Sequence, residues 1–240
     1  MLFNDPSFDA QHATPVLYVH GINSRTIAFR RNARLISSHG HWVWGYDYGR
    51  MLIPGLAGTG RIEDMVDELG ENVDHVLSET GASKVNVVAH SQGGLLTKLF
   101  IAAGGAERVE RVVAMGANFH GTDLRGYAAR INPITGRNPK FWERMASPSA
   151  VQQLAGSEWS HELATVPDTN PRVMYTSLYS RRDHVVTPVE TSILTPIDGA
   201  DVVNLEIPGA PLHPLMPRDR ETAELTLWGL EREPGETAPS

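Results

Sequence analysis

Val87-Val88-Ala89-His90-Ser91-Gln92-Gly93-Gly94 is the stretch from which the rest of the chain is read. An apolar strand runs straight into a serine and then into a helix, in the pattern small-x-Ser-x-Gly. Ala89 stands two before the serine and Gly93 two after it. Small residues are needed at both places because the turn is sharp and the helix passes close to the strand. Such a turn lifts the serine oxygen to the carboxyl end of a sheet and aims a helix N-terminus at it. The pattern usually begins with glycine, so Ala89 is a departure of one methyl group. A chance Ser-x-Gly at a strand–helix junction is the plainer alternative, and the strand–turn–helix setting favours the functional reading.

Outward from that turn, short apolar runs alternate with helical patterns. Strands are predicted at 16–19, 41–48, 84–89, 110–115, 172–178 and 201–207. Several are near-continuous apolar runs, as expected of strands covered on both faces. Ile62, Met65, Val66, Leu69, Val73, Val76 and Leu77 draw one stripe at helical period, with Gly81 at the stop position. Further helices are expected at 91–103 and 218–230. Strands alternating with helices imply an α/β fold with a mostly parallel six-stranded sheet and right-handed crossovers, within one domain spanning 1–240. Residues 122–170 break the pattern. They hold little strand character, prolines at 133, 139 and 148, and the scattered large side chains Tyr127, Ile131, Phe141, Trp142, Val151, Leu154 and Trp159. This segment reads as a mostly helical insertion over one end of the sheet, of a length that is usually functional or disordered, and its aromatics favour the functional reading. The tail, EREPGETAPS, is polar and expected to fray.

Composition narrows the function. With 21 Lys+Arg against 28 Asp+Glu the net charge is −7, and no long basic run is present, so nucleic acid is not expected as a partner. There is no cysteine, which excludes disulfides and Cys-ligated zinc. No apolar run approaches the ~20 residues of a membrane span. Five Trp and the regular apolar segments can fill a core, and a chain of this size buries roughly 70–75% of its unfolded surface. The first residues, MLFNDPSFDAQHATP, lack a basic region followed by an apolar one, which fits a cytosolic protein or a mature secreted form.

A serine is a poor nucleophile near neutral pH without a base, and the base needs an orienting acid. In doubly wound hydrolases the chain order is Ser, acid, His. Asp183, in LYSRRDHVVTP after the fifth strand, fits the acid; His213, in PGAPLHPLMP after the sixth, fits the base. Asp123 after the fourth strand is a rival acid, while Asp198 and Asp201 sit at the wrong end of the sheet. His184 is expected to point away from its neighbour Asp183, His90 into packing beside the serine, and His120 to line the cleft. Two N–H donors are needed for an oxyanion, from Gln92 at the helix start and from Ile22 in the loop His20-Gly21-Ile22-Asn23. Gly21 allows the close approach there, and His20 reads as an organiser of that loop. His39 and His41 lie two apart, but a polar turn before a strand is favoured over a metal site.

These pieces resemble the α/β-hydrolases of the bacterial and fungal class 2 lipase type, the group of small actinobacterial lipases and yeast lipase B. The resemblance rests on VLYVHGI, YDYG, ETGASKVNVVAHSQGG, GANFHGTD, SPSAVQQLAGS, YTSLYSRRDHVVTP and the loop at His213, over roughly residues 15–230. It implies nucleophile Ser91, acid Asp183, base His213, oxyanion donors Ile22 and Gln92, and a lid or cap at 122–170. Ile22 stands where the yeast type has a threonine whose hydroxyl adds a third donor, leaving two backbone donors here. The expected activity is hydrolysis of carboxylic esters through an acyl-enzyme, with lipids as substrates and transient contact with a lipid interface. Met51, Leu52 and Ile53 are offered as part of an acyl cleft. No metal or organic cofactor is expected. Short soluble esters and polyesters are the nearer alternatives. A non-catalytic ligand-binding protein of the same fold and a perhydrolase side activity are the more distant ones.

Overall fold

The computed structural model describes residues 1–49, 54–128, 130, 134, 141 and 147–239. Six strands form one sheet: β1 (Val16–Val19), β2 (Val43–Gly45), β3 (Val85–His90), β4 (Val109–Met115), β5 (Met174–Tyr179) and β6 (Val202–Glu206). Their order is β2-β1-β3-β4-β5-β6, and all five pairings are parallel. The stretch expected as a strand over 41–48 narrows to three residues. Beyond Gly45 the backbone turns to meet the loop after β1: Asp47 accepts from the Thr26 N–H at 2.8 Å, and the Tyr48 hydroxyl donates to the His20 carbonyl.

The helices are α1 (Arg30–Ser38), α2 (Ile62–Thr80), α3 (Gln92–Ala102), α4 (Pro148–Gln152), α5 (Glu158–Leu163) and α6 (Arg220–Glu231). Helix α2 buries Ile62, Met65, Leu69, Val73 and Val76 and stops at Gly81, whose φ is 69°. Helix α1 escapes the sequence reading because its first turn is Arg30-Arg31 and only a short apolar edge, Ala33 and Ile36 with Phe29 before it, faces the sheet.

Side-chain alternation along each strand feeds two cores. Leu17, Val19, Val87 and Ala89 pack with Leu69, Val73, Leu95 and Leu96 on the α2/α3 face. Val16, Tyr18, Val88 and Val113 pack with Phe29, Ala33, Ile36 and Leu230 on the α1/α6 face. The near-continuous apolar runs follow from this two-sided burial. The chain leaves β1 for β2 and returns across the sheet to β3, so the winding direction reverses between β1 and β3. In such sheets ligands sit in the crevice at the carboxyl ends of the strands at this reversal.

The tail departs from expectation as far as Glu236. The Arg232 guanidinium is buried, donating to Asp201 at 2.6 Å and to the Tyr175 carbonyl at 3.1 Å. Trp228 Nε1 donates to Glu236 at 3.0 Å. A guanidinium with its partners in place anchors a segment whose composition alone reads as solvated.

Candidate active site

The ends of β1, β3, β5 and β6 all lead into one place. Between β3 and α3, Ser91 adopts φ 55° and ψ −128°, a region that residues with a side chain rarely visit. The conformation holds because the helix lies hard against β1. A Cβ on Gly93 would stand 2.2 Å from the Val19 carbonyl oxygen, and one on Gly21 2.9 Å from Ser91 Cβ. Glycine at 93 in the sequence pattern, and at 21 in the loop facing it, is therefore a packing requirement.

His213 opens the short helical turn His213–Arg218 after β6, and Asp183 lies in the loop after β5. The structure brings both to Ser91. His213 Nε2 is 2.9 Å from Ser91 Oγ, and His213 Nδ1 is 2.7 Å from Asp183 Oδ2. The other carboxylate oxygen, Oδ1, accepts the N–H groups of Val185 (2.8 Å) and Val186 (2.9 Å). All three side chains are buried. With both oxygens engaged the Asp183 carboxylate is fixed in place against Nδ1, the arrangement in which Nδ1–H donates to it and Nε2 is left to the hydroxyl.

The rivals are elsewhere. Asp123 accepts from the Thr187 hydroxyl at 2.5 Å and from the Arg125 N–H at 2.8 Å. His184 is exposed and pairs with the Arg125 guanidinium. His120 does not line the cleft; its Nε2 contacts Asp168 at 2.8 Å, which also accepts from the buried Lys98 at 2.8 Å. His90 donates from Nε2 to the His213 carbonyl at 3.0 Å. Burial and the neighbouring His213 hold its pKa well below the ordinary imidazole value. A neutral His90 thus steadies the His213 loop, a role its place beside the serine did not disclose.

Ile22 lines the same cleft, and the Gln92 N–H is the first of α3. Neither N–H has an acceptor among the described residues, and the helix end adds its positive dipole. His20 organises this loop. It is fully buried, its Nδ1 bonds the Gly21 carbonyl at 2.8 Å, and its ring stacks on Tyr48 at 4.2 Å. The Gln92 side chain is clamped: Nε2 donates to the Gly58 carbonyl (2.9 Å), and Oε1 accepts from Gln153 Nε2 (2.6 Å). Asn118 Nδ2 in turn donates to Gln153 Oε1 at 2.6 Å. The sequence reading missed this network. Its signal was the paired glutamines Gln152-Gln153 at the end of the short helix α4.

The cleft has a volume of about 380 Å³ and includes Ser24, Arg25, Ile27, Leu56, Val185 and Arg218 in its lining. The 122–170 segment is tied to the cleft rim at its first residue and to the loop before α2 within its length. Thr122 Oγ1 donates to the Val185 carbonyl at 2.7 Å, and Ser149 Oγ to the Gly58 carbonyl at 3.2 Å. Met51, Leu52 and Ile53, and Ile131, Pro133, Pro139 and Trp142 of the insertion, lie outside the described residues.

Residues 10–168 match the family described as serine aminopeptidase, S33 (Hydrolase_4). Over 116 residues the chain is 27% identical to lecithin-cholesterol acyltransferase-like 4 of Arabidopsis thaliana, a match covering 46% of this chain and 21% of that protein. It is 28% identical over 116 residues to a triacylglycerol lipase of Pseudomonas fragi, covering 46% of this chain and 36% of the lipase. The chain thus matches about a fifth and about a third of the length of these curated relatives. Among solved structures, a monoacylglycerol lipase of Paleococcus ferrophilus superposes with a TM-score of 0.60 at 18% identity. That superposition covers 90% of this chain and 93% of the other, a likeness of fold.

Proposed function

The chain belongs to the serine aminopeptidase, S33 (Hydrolase_4) family and has the α/β-hydrolase fold, and from that premise we propose that it hydrolyses carboxylic esters through an acyl-enzyme on Ser91. The observation that carries this reading is the unbroken hydrogen-bond chain Ser91–His213–Asp183 at 2.9 and 2.7 Å. In the reaction, His213 Nε2 takes the Ser91 proton as Oγ attacks the ester carbonyl. The N–H groups of Ile22 and Gln92 receive the oxyanion, each donor lowering the barrier by about 3 kcal/mol. His213 then gives its proton to the departing alcohol. Water, deprotonated by the same ring, attacks the acyl group and frees Ser91. Asp183 holds the ring and stabilises its cation throughout.

Esters are favoured over the amino-terminal amides of peptides by the charge of the cleft. An aminopeptidase needs an anion to receive a substrate's ammonium group. Among the described residues lining this cleft there is no carboxylate, whereas Arg25 and Arg218 are present. Lipid-like esters, in the manner of the class 2 lipases, are favoured by the apolar rim. Ile27 and Val185 are exposed in the cleft lining, and Leu212 and Leu215 are exposed in the adjoining cavity that Ile27 and Arg218 share. Large apolar side chains left in water around a cleft suit an acyl chain better than a small polar ester. We read 122–170 as a cap over the cleft, since its first residue, Thr122, is tied to Val185 on the cleft rim. No helix among the described residues is long and apolar enough to cross a membrane.

Short- and long-chain p-nitrophenyl esters test the reading. The parent should cleave both, with the higher kcat/KM on the longer chain, and Ser91→Ala should lose about four orders of magnitude or more. Unchanged turnover in Ser91→Ala removes the serine from the mechanism. Cleavage of only the short ester leaves the triad but replaces the lipid reading with that of a short-chain carboxylesterase. Release of p-nitroaniline from aminoacyl anilides in preference to ester cleavage contradicts the charge argument.

A further inference from the structure

At the amino ends of the strands, on the far side of the sheet from Ser91, the arm before β1, the turn before β2 and the end of α6 meet. His12 and His41 stack there, ring centroids 3.7 Å apart and planes 6° apart. Glu231 Oε1 lies 3.1 Å from His41 Nε2 and 3.9 Å from His12 Nε2. One donor atom from each of the three residues falls within 4.8 Å of the others. Beside them is a cavity of about 400 Å³ that Asn86, Glu110 and Arg111 also line. Glu110 accepts from Thr14 Oγ1, and Arg111 donates to the Arg232 carbonyl. His41 and Asn86, only 2% and 4% exposed, have no such engagement for His41 Nδ1 or Asn86 Oδ1: both atoms are buried without a hydrogen-bond partner. Orphaned buried polar atoms are costly and uncommon, and the two residues that carry them here both border this cavity.

We propose that His12, His41 and Glu231 bind a divalent transition-metal ion of the zinc type, fastening the N-terminal arm to the last helix. Two imidazoles and a carboxylate form a donor set that suits such ions, whereas magnesium and calcium take oxygen ligands. Zinc–nitrogen bonds of about 2.0–2.1 Å in a tetrahedron bring ligand atoms to about 3.4 Å of one another. His12 can supply that contraction by turning out of the stack, since parallel rings cannot both aim an in-plane lone pair at one ion. It is partly exposed, belongs to an arm without regular structure, and its ring is held by the His39 carbonyl at 3.1 Å and by the stack on His41. His39, the neighbour that the sequence pairs with His41, offers the cluster a backbone oxygen and no ring nitrogen. The ion's role is structural, because the strands run their full length between this cluster and Ser91.

The test uses the full chain, stripped with a chelator and titrated with Zn²⁺ against a chromophoric competitor while the thermal midpoint is followed. One equivalent should bind per chain and raise the midpoint. His12→Ala and Glu231→Gln, both at accessible positions, should each weaken binding by about 100-fold, with circular dichroism verifying the fold. His39→Ala should bind as the parent does. Absence of saturable binding overturns the proposal, as does binding left intact by either His12→Ala or Glu231→Gln, or lost in His39→Ala.

Discussion

Gly93 shows how little room the serine turn has. Adding one methyl group there would place a carbon 2.2 Å from the Val19 carbonyl oxygen and 2.8 Å from that of His20, and neither backbone atom can swivel away as a side chain would. Gly93→Ala must therefore push α3 off β1. The expected cost is about 3 kcal/mol, a fall in thermal midpoint of roughly 10 °C for a chain of this size. Calorimetry of the two proteins checks it, and an unchanged midpoint contradicts the packing argument. The residues around this turn were the most legible part of the chain. Ser91, Asp183 and His213 could be named because each follows a recognisable strand and their order is constrained. His90 and Gln153 could not, since the first acts through a backbone carbonyl and the second through a side-chain relay to Gln92. Neither contact leaves a periodic trace.

Elements were legible in proportion to their burial. The strands and α2 repeat apolar residues at their own periods, so they stand out, and Gly81 marks the end of α2 as a left-handed stop should. Helix α1 was missed because it buries a narrow stripe and is otherwise polar. The tail was misread because Arg232, an ordinarily solvated residue, is buried against Asp201 and the Tyr175 carbonyl. A similar buried charge ties α3 to the segment before β5. Asp168 is partly buried, which alone would raise its pKa. The hydrogen bonds from His120 and Lys98, and the charge of Lys98, outweigh that and hold it well below the usual carboxylate range. A carboxylate whose pKa is lower folded than unfolded contributes stability that is full above the unfolded value of about 3.9 and is lost as pH falls toward the folded one. Asp168→Asn should therefore cost about 3 kcal/mol near pH 7, where Lys98 is left charged and unpaired. Its deficit should shrink steadily as denaturant melts are repeated below about pH 4. A deficit that stays constant with pH would show that the ion pair does not supply this stability.

At the scale of the whole molecule, the reversal of winding between β1 and β3 is what makes a site possible. It opens a crevice at the strand ends into which the loops after β1, β3, β5 and β6 deliver Ile22, Ser91, Asp183 and His213. In the proposed mechanism this convergence turns the Ser91 hydroxyl into a nucleophile. A fluorophosphonate probe reads it directly, since it bonds to a serine only when a base has activated the oxygen. Intact mass and peptide mapping of the labelled protein should show one adduct, on Ser91, formed at a rate that collapses in His213→Ala. Ester turnover that continues with Ser91 unlabelled, or an adduct on any other residue, would contradict the account.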